Sequence, residues 1–148
     1  MSESIIAAKM VLSNTFLMYF KAHSYHWNLE GMDFPQFHEF FGDIYEDLYG
    51  AVDPLAENIR KMGVKAPRNL DEMYRYKTID ADNTGTTIEH MLHDLLLAND
   101  QTIISLNKLF DLLTAEKEQG FANFVADRLD AHKKHGWMIS SCLTKNEE

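Results

Sequence analysis

KAHSYHWNLEGMDFPQFHEFFGDIYEDLYGAVDPLAENIR, residues Lys21 to Arg60, is the stretch whose reading decides the fold. It holds three of the chain's seven histidines and one of its two tryptophans. Gly31 marks a turn. Asp33 is a candidate helix N-cap, and Pro35 falls near the first helical position, where its missing N–H costs nothing. The stretch therefore reads as the end of one helix, a turn and most of the next. His26 and His38 flank the turn, and Asp53 and Glu57 follow at i, i+4 on one helix face. Two imidazoles and two carboxylates form a ligand set that suits iron.

Working outward, the first helix is expected from about Glu3 to Asn28. Leu12, Phe16, Tyr19, His23 and His26 step by 4, 3, 4 and 3, one stripe facing a core, so both histidines should point inward. The second helix runs to about Met62 and is stopped by Gly63. Pro54 cannot donate to the Gly50 carbonyl, which predicts a kink near Asp53, or a break with Asp53 capping a new helix. Pro67 lies in a loop, and Leu70–Lys77 can form a short helix within it. The capping-box pattern Thr86-Thr87-Ile88-Glu89 opens a third long helix carrying Ile88, Leu92, Leu95, Ile103, Leu106, Phe110 and Leu113. Gly120 marks the next turn. A fourth helix, about Phe121 to Leu143, carries Phe121, Val125, Leu129, Ile139 and Leu143, and the tail Lys145–Glu148 should fray. No period-2 run suggests a strand. The expectation is one all-α domain over residues 1–148: a four-helix bundle with a short extra helix in the connection between helices two and three. That connection, roughly 20 residues, can cross a bundle and return the chain to the same end, a topology used by ferritin-like bundles.

Composition narrows the function. With 148 residues the chain can bury a real core, and 45% hydrophobic with 25% charged residues is ordinary for a globular protein. A formal net charge of −9 disfavours the phosphate backbone of nucleic acid and favours cations. The single Cys142 leaves no intrachain disulfide, which suits a reducing cytoplasm. No signal peptide and no membrane span are expected.

Glu39, Glu46, Asp53 and Glu57 share a broad face of the second helix with His38. If solvated, that face is an ordinary acidic surface. It is interleaved with Phe40, Phe41, Tyr45, Leu48 and Leu55, however, and carboxylates buried beside imidazoles need a cation. His26 alone would more often be a core or interface histidine, and the same holds for His23. Glu89, His90, His93 and Asp94 read as a solvated face. His132 and His135, beside Lys133 and Lys134, read as a polar face without chemistry.

Taken together, Lys21, His23, His26, Trp27, Gly31, Phe34, His38, Asp53 and Glu57 resemble the core signature of the Dps family, the miniferritins or DNA-protection-during-starvation proteins. The Gly63…Pro67 loop and the terminal HKKHGWMISSCL with Trp137 extend the likeness over nearly the whole chain. The resemblance implies a ferritin-like bundle assembled from two-fold dimers into a hollow dodecamer. Ferroxidase centres would lie between two subunits, with Asp53 and Glu57 of one chain meeting His26 and His38 of the other. There Fe(II) would be oxidised by hydrogen peroxide or oxygen and stored as ferric mineral, protecting against oxidative stress. Trp27 resembles the family tryptophan that quenches stray oxidising equivalents. Two departures stand out. The family places an Asp four residues after the second histidine, and this chain has Gly42, which should weaken the second iron position. Glu46 is the candidate substitute, and Asp43 the poorer one. Pro54 directly follows Asp53 and could re-aim both carboxylates. Metal binding with weakened ferroxidase activity is the leading expectation. A non-enzymatic shell with a degraded centre is the alternative. A monomeric or dimeric carboxylate-bridged oxidoreductase is disfavoured because no Glu-x-x-His pair is present. Tight DNA binding is not expected.

Overall fold

The computed structural model describes residues 2–143. Its elements are α1 (Glu3–Asn28), α2 (Phe34–Lys61), α3 (Leu70–Arg75), α4 (Ile88–Ala115) and α5 (Gln119–Leu143). This is the expected four-helix bundle with a short extra helix in its long connection, and among the described residues there is no strand. The expectation for Lys145–Glu148 lies outside the described residues. No helix among them is long and apolar enough to cross a membrane.

Local chemistry sets the helix ends. Ser2 caps α1 by accepting from the Ile5 N–H, and Asn69 caps α3 by accepting from Glu72. For α4 the cap sits one residue later than the capping-box pattern suggests. Thr87, not Thr86, accepts from the His90 N–H, so Glu89 falls one place short of the reciprocal position. Asp33 occupies the N-cap position of α2 but makes no side-chain cap bond. Gly63 takes φ +92 after α2, a left-handed turn that costs glycine little. The α4–α5 turn uses Lys117 at φ 62 instead, and Gly120 lies inside the first turn of α5. The helix does not break at Pro54: α2 is continuous through it, and Asn58 Nδ2 donates to the Pro54 carbonyl at 2.9 Å.

Topology follows from what the 62–87 connection touches. Met73 O accepts from Ser13, the Thr78 N–H donates to Asn14, Asn83 O accepts from Lys21, and the Gly85 N–H donates to Tyr25. The connection thus runs along α1 toward its C-terminal end, a climb of roughly 18 Å at ~1.5 Å per residue. Antiparallel α1 and α2 are thereby followed by an α4 parallel to α2, and α5 returns. Asp94 of α4 secures the end of the climb. It pairs with Lys21 at 2.8 Å and accepts from Tyr25 and from Asn83 Nδ2. Burial and the Asp94 bond push the Tyr25 phenol well above its usual range.

The most buried line of α1 is Val11, Thr15, Met18, Ala22 and Tyr25, rotated by about one residue from the stripe Leu12 to His26. Leu12 is buried, but Phe16, Tyr19, His23 and His26 are only half-buried, on the flank that meets α2. The two histidines therefore sit at a helix–helix edge and not in the core. The helix is buried on so much of its circumference that two adjacent stripes both read as apolar.

On α5, where the sequence reads as a polar face, His132 and His135 are buried. Asp47 of α2 takes a bidentate bond from Arg128 at 3.0 and 2.8 Å and one from His135 Nε2 at 2.6 Å. Burial alone would raise the Asp47 carboxyl, but the His135 and Arg128 bonds outweigh it and hold the group well below the usual carboxylate range. His132 donates from Nδ1 to Asn99 Oδ1 at 2.8 Å, and Asn99 Nδ2 donates back to the His132 carbonyl. Burial, aided by Arg128, pushes His132 down to about 3. The Asp47 bonds join α2 to α5, and the His132–Asn99 pair joins α5 to α4.

Two outcomes follow. Asp47→Ala strands a guanidinium and an imidazole in the interior, so denaturant unfolding should show a loss of at least about 2 kcal/mol; an unchanged midpoint would contradict the bridge. His132 is depressed in the folded state, so its contribution is full above the unfolded value of 6.5 and is lost as pH falls toward about 3. The wild type should therefore lose up to about 1.4 kcal/mol per pH unit from this group below pH ~6. His132→Gln, though less stable overall, should lack that slope.

Candidate metal centre

The turn between α1 and α2 brings His26 and His38 face to face. Their rings stack with centroids 3.7 Å apart and planes at 18°. Each ring binds the other residue's backbone. His26 Nδ1 lies 2.6 Å from the His38 carbonyl, and His38 Nδ1 lies 2.7 Å from the His26 carbonyl. A carbonyl only accepts, so both Nδ1 atoms carry the proton and both Nε2 lone pairs are left for a ligand. Backbone carbonyls holding ligand imidazoles in one tautomer are the usual outer support of a metal site. In-plane lone pairs of two nearly parallel rings cannot converge on one ion at about 2 Å. The stack thus offers two single-imidazole positions and not one shared ion.

Gly42 is part of this arrangement. A Cβ there would lie 3.2 Å from His26 Nδ1 and 3.3 Å from its Cε1. The bare backbone lets the imidazole rest against α2, so the expected Asp and the observed ring position compete for one space.

The carboxylates are elsewhere. Asp53 and Glu57 are exposed, as are Glu39 and Glu46. His38 and Asp53 are fifteen residues apart on α2, roughly 22 Å at ~1.5 Å per residue. Among the described residues no three His, Cys, Asp or Glu side chains gather where one ion could take them all. The sequence-predicted ligands therefore stand as two separate pairs on one chain: His26 with His38, and Asp53 with Glu57. Of the other polar candidates, Glu89, His90 and His93 are solvent-exposed as expected, while Asp94 is buried against Lys21.

Aromatic side chains surround the histidine pair. Phe34 stacks on His38 at 4.9 Å, and Tyr45 meets His26 at 5.2 Å. Trp27 is 54% exposed and packs on Phe20 and His23. Burial, with His26 adding to it, lowers the pKa of His23. Burial and the neighbouring Tyr49 and Tyr45 raise that of Tyr19.

The sequence reading missed the Asp47–Arg128–His135 bridge and the His132–Asn99 pair. A signal existed: Val125, Arg128, His132, His135 and Ile139 step by 3, 4, 3 and 4, which places three polar residues on the buried stripe of α5.

Comparison with known proteins identifies the family. The ferritin-like domain family matches residues 7–148. General stress protein 20U of Bacillus subtilis is 27% identical over 146 residues, covering 97% of this chain and 99% of its own. DNA protection during starvation protein 2 of Bacillus anthracis is 22% identical over 129 residues, covering 87% and 88%. The crystal structure of a Dps protein from Vibrio cholerae O1, a member of a broad superfamily of ferritin-like diiron-carboxylate proteins, superposes with a TM-score of 0.90 at 21% identity. The superposition covers 96% of this chain and 89% of that one. The chain belongs to the ferritin-like domain family, and the relatives it resembles over most of its length include Dps proteins.

Proposed function

We propose that two copies of this chain, related by a two-fold axis, build a di-iron ferroxidase centre from complementary half-sites, and that twelve such chains form a shell that stores the ferric product. The observation that carries this reading is the split itself. A tautomer-locked imidazole pair and an exposed carboxylate pair stand too far apart to serve one ion within a chain. An isologous dimer answers this economically, because each half-site of one copy meets the other half-site of its partner and two centres form at once. Exposed apolar side chains on the same two helices, Phe20, Trp27 and Tyr49, suit such a contact.

In this reading Fe(II) is the substrate. His26 and His38 each hold one ion through Nε2, and Asp53 and Glu57 supply the negative charge that favours Fe(III) over Fe(II). Glu46, one turn beyond Gly42, is the candidate extra carboxylate at the second position. Two adjacent Fe(II) ions can deliver two electrons together to hydrogen peroxide, giving two hydroxide ions and no hydroxyl radical. Oxygen is the alternative oxidant. Protection of DNA would then be chemical: a chain of net charge −9 is a poor ligand for phosphate at physiological salt. A cytoplasmic setting, with Cys142 unpaired, fits the same reading.

The test is Fe(II) oxidation by metal-free protein under stoichiometric peroxide, counted per subunit. Saturable oxidation faster than the protein-free control, lost in His26→Ala and Asp53→Ala, is expected. Oxidation no faster than the control would leave the second reading, a non-enzymatic shell, which Gly42 favours. Gly42→Ala separates packing from ligation. Helix propensity gains up to about 1 kcal/mol, while displacement of His26 should lower iron affinity about tenfold, the scale of lost outer-shell support. Unchanged affinity would show that the Gly42–His26 contact does not matter.

A further inference from the structure

Beside the candidate centre lies a packed group that the iron chemistry does not use. The Tyr19 hydroxyl is 2.9 Å from His23 Nδ1, an i, i+4 pair on α1. The His23 ring is held on both sides, stacked on Tyr45 at 3.8 Å and 10° and against Trp27 at 4.1 Å. Tyr19 packs in turn on Tyr49 at 5.1 Å and on Tyr45 at 6.2 Å. Both partners of the hydrogen bond are thus oriented by ring packing. A phenol gives up an electron readily only if its proton leaves in the same event, because the protonated radical cation is a very strong acid. A neutral imidazole at hydrogen-bond distance is a ready acceptor for that proton.

We propose that Tyr19 and His23 form a redox-active pair, in which Tyr19 gives one electron to a strong one-electron oxidant of the hydroxyl-radical class while its phenolic proton crosses to His23 Nδ1. The O–H bond of Tyr19 breaks and an N–H bond forms on His23. The oxidant gains the electron and becomes hydroxide, and the imidazolium then returns the proton to hydroxide as water. The sum is phenol plus hydroxyl radical giving phenoxyl radical plus water. The His26 ring lies 6.0 Å from that of His23, so an oxidant that escapes the candidate centre meets this pair within a short distance. The use of the pair in protection rests on the iron-and-peroxide reading, but its redox chemistry does not. Unlike the quenching expected of Trp27, it requires a specific proton acceptor.

The test uses metal-free, full-length protein, with photogenerated ruthenium(III) tris-bipyridyl as the one-electron oxidant and the phenoxyl radical followed optically and by EPR. Tyr19→Phe, which keeps the ring packing, should remove most of the radical signal. His23→Gln should slow its formation by about a hundredfold, the lower range of what a positioned proton acceptor contributes. Heavy water should slow it in the wild type, a measurement independent of how the variants fold. An unchanged radical yield in Tyr19→Phe would overturn the proposal, as would a wild-type rate indifferent to heavy water. Because no iron is present, failure here is distinct from failure of the ferroxidase reading.

Discussion

A continuous α-helix is a rigid ruler, and the candidate chemistry of this protein depends on that constraint. α2 carries one imidazole near its start and two carboxylates in its second half, and no rotamer change can close the roughly 22 Å between them. The helix stays unbroken through Pro54, so the separation is maintained where a break would have relaxed it. The chain consequently presents the candidate ligands in two separate pairs. The histidine pair is tautomer-locked by reciprocal bonds to backbone carbonyls. The carboxylate pair shares one face at i, i+4.

Keeping that ruler in place requires buried polar bonds. Asp94 ties α1 and α4 to the end of the crossover, which fixes α4 parallel to α2. Asp47 ties α2 to α5. Each carboxylate is met by a cation and by further donors, the condition under which a buried charge is tolerated. Apolar packing supplies the bulk of the stability, but these two knots select one topology and one helix register.

Much of this was legible in the residues. The four long helices, the short helix in the connection and the turn at Gly31 follow from periodicity and from Pro and Gly positions. The ligand residues and the meaning of Gly42 came from a familial pattern, because spacing alone could not separate an acidic surface from a half-site. The half-burial of His23 and His26 is hard to read from the sequence, because α1 is buried on most of its circumference and two adjacent stripes compete. The cap at Thr87 was off by one because two adjacent threonines compete for one role. Lys133 and Lys134 give the segment around His132 and His135 a polar look, although the heptad steps from Val125 to Ile139 place both histidines inside. Tertiary pairing such as Asp47 with Arg128 joins residues far apart in the chain, and no local pattern encodes it.

The most direct measurement is the location of iron in crystals of the assembled protein loaded with Fe(II), read from anomalous scattering at the iron edge. Anomalous peaks bounded by His26 and His38 of one copy and by Asp53 and Glu57 of its two-fold mate would bear out the split centre. Iron held by groups of a single chain, or none beside the His26–His38 stack, would contradict it.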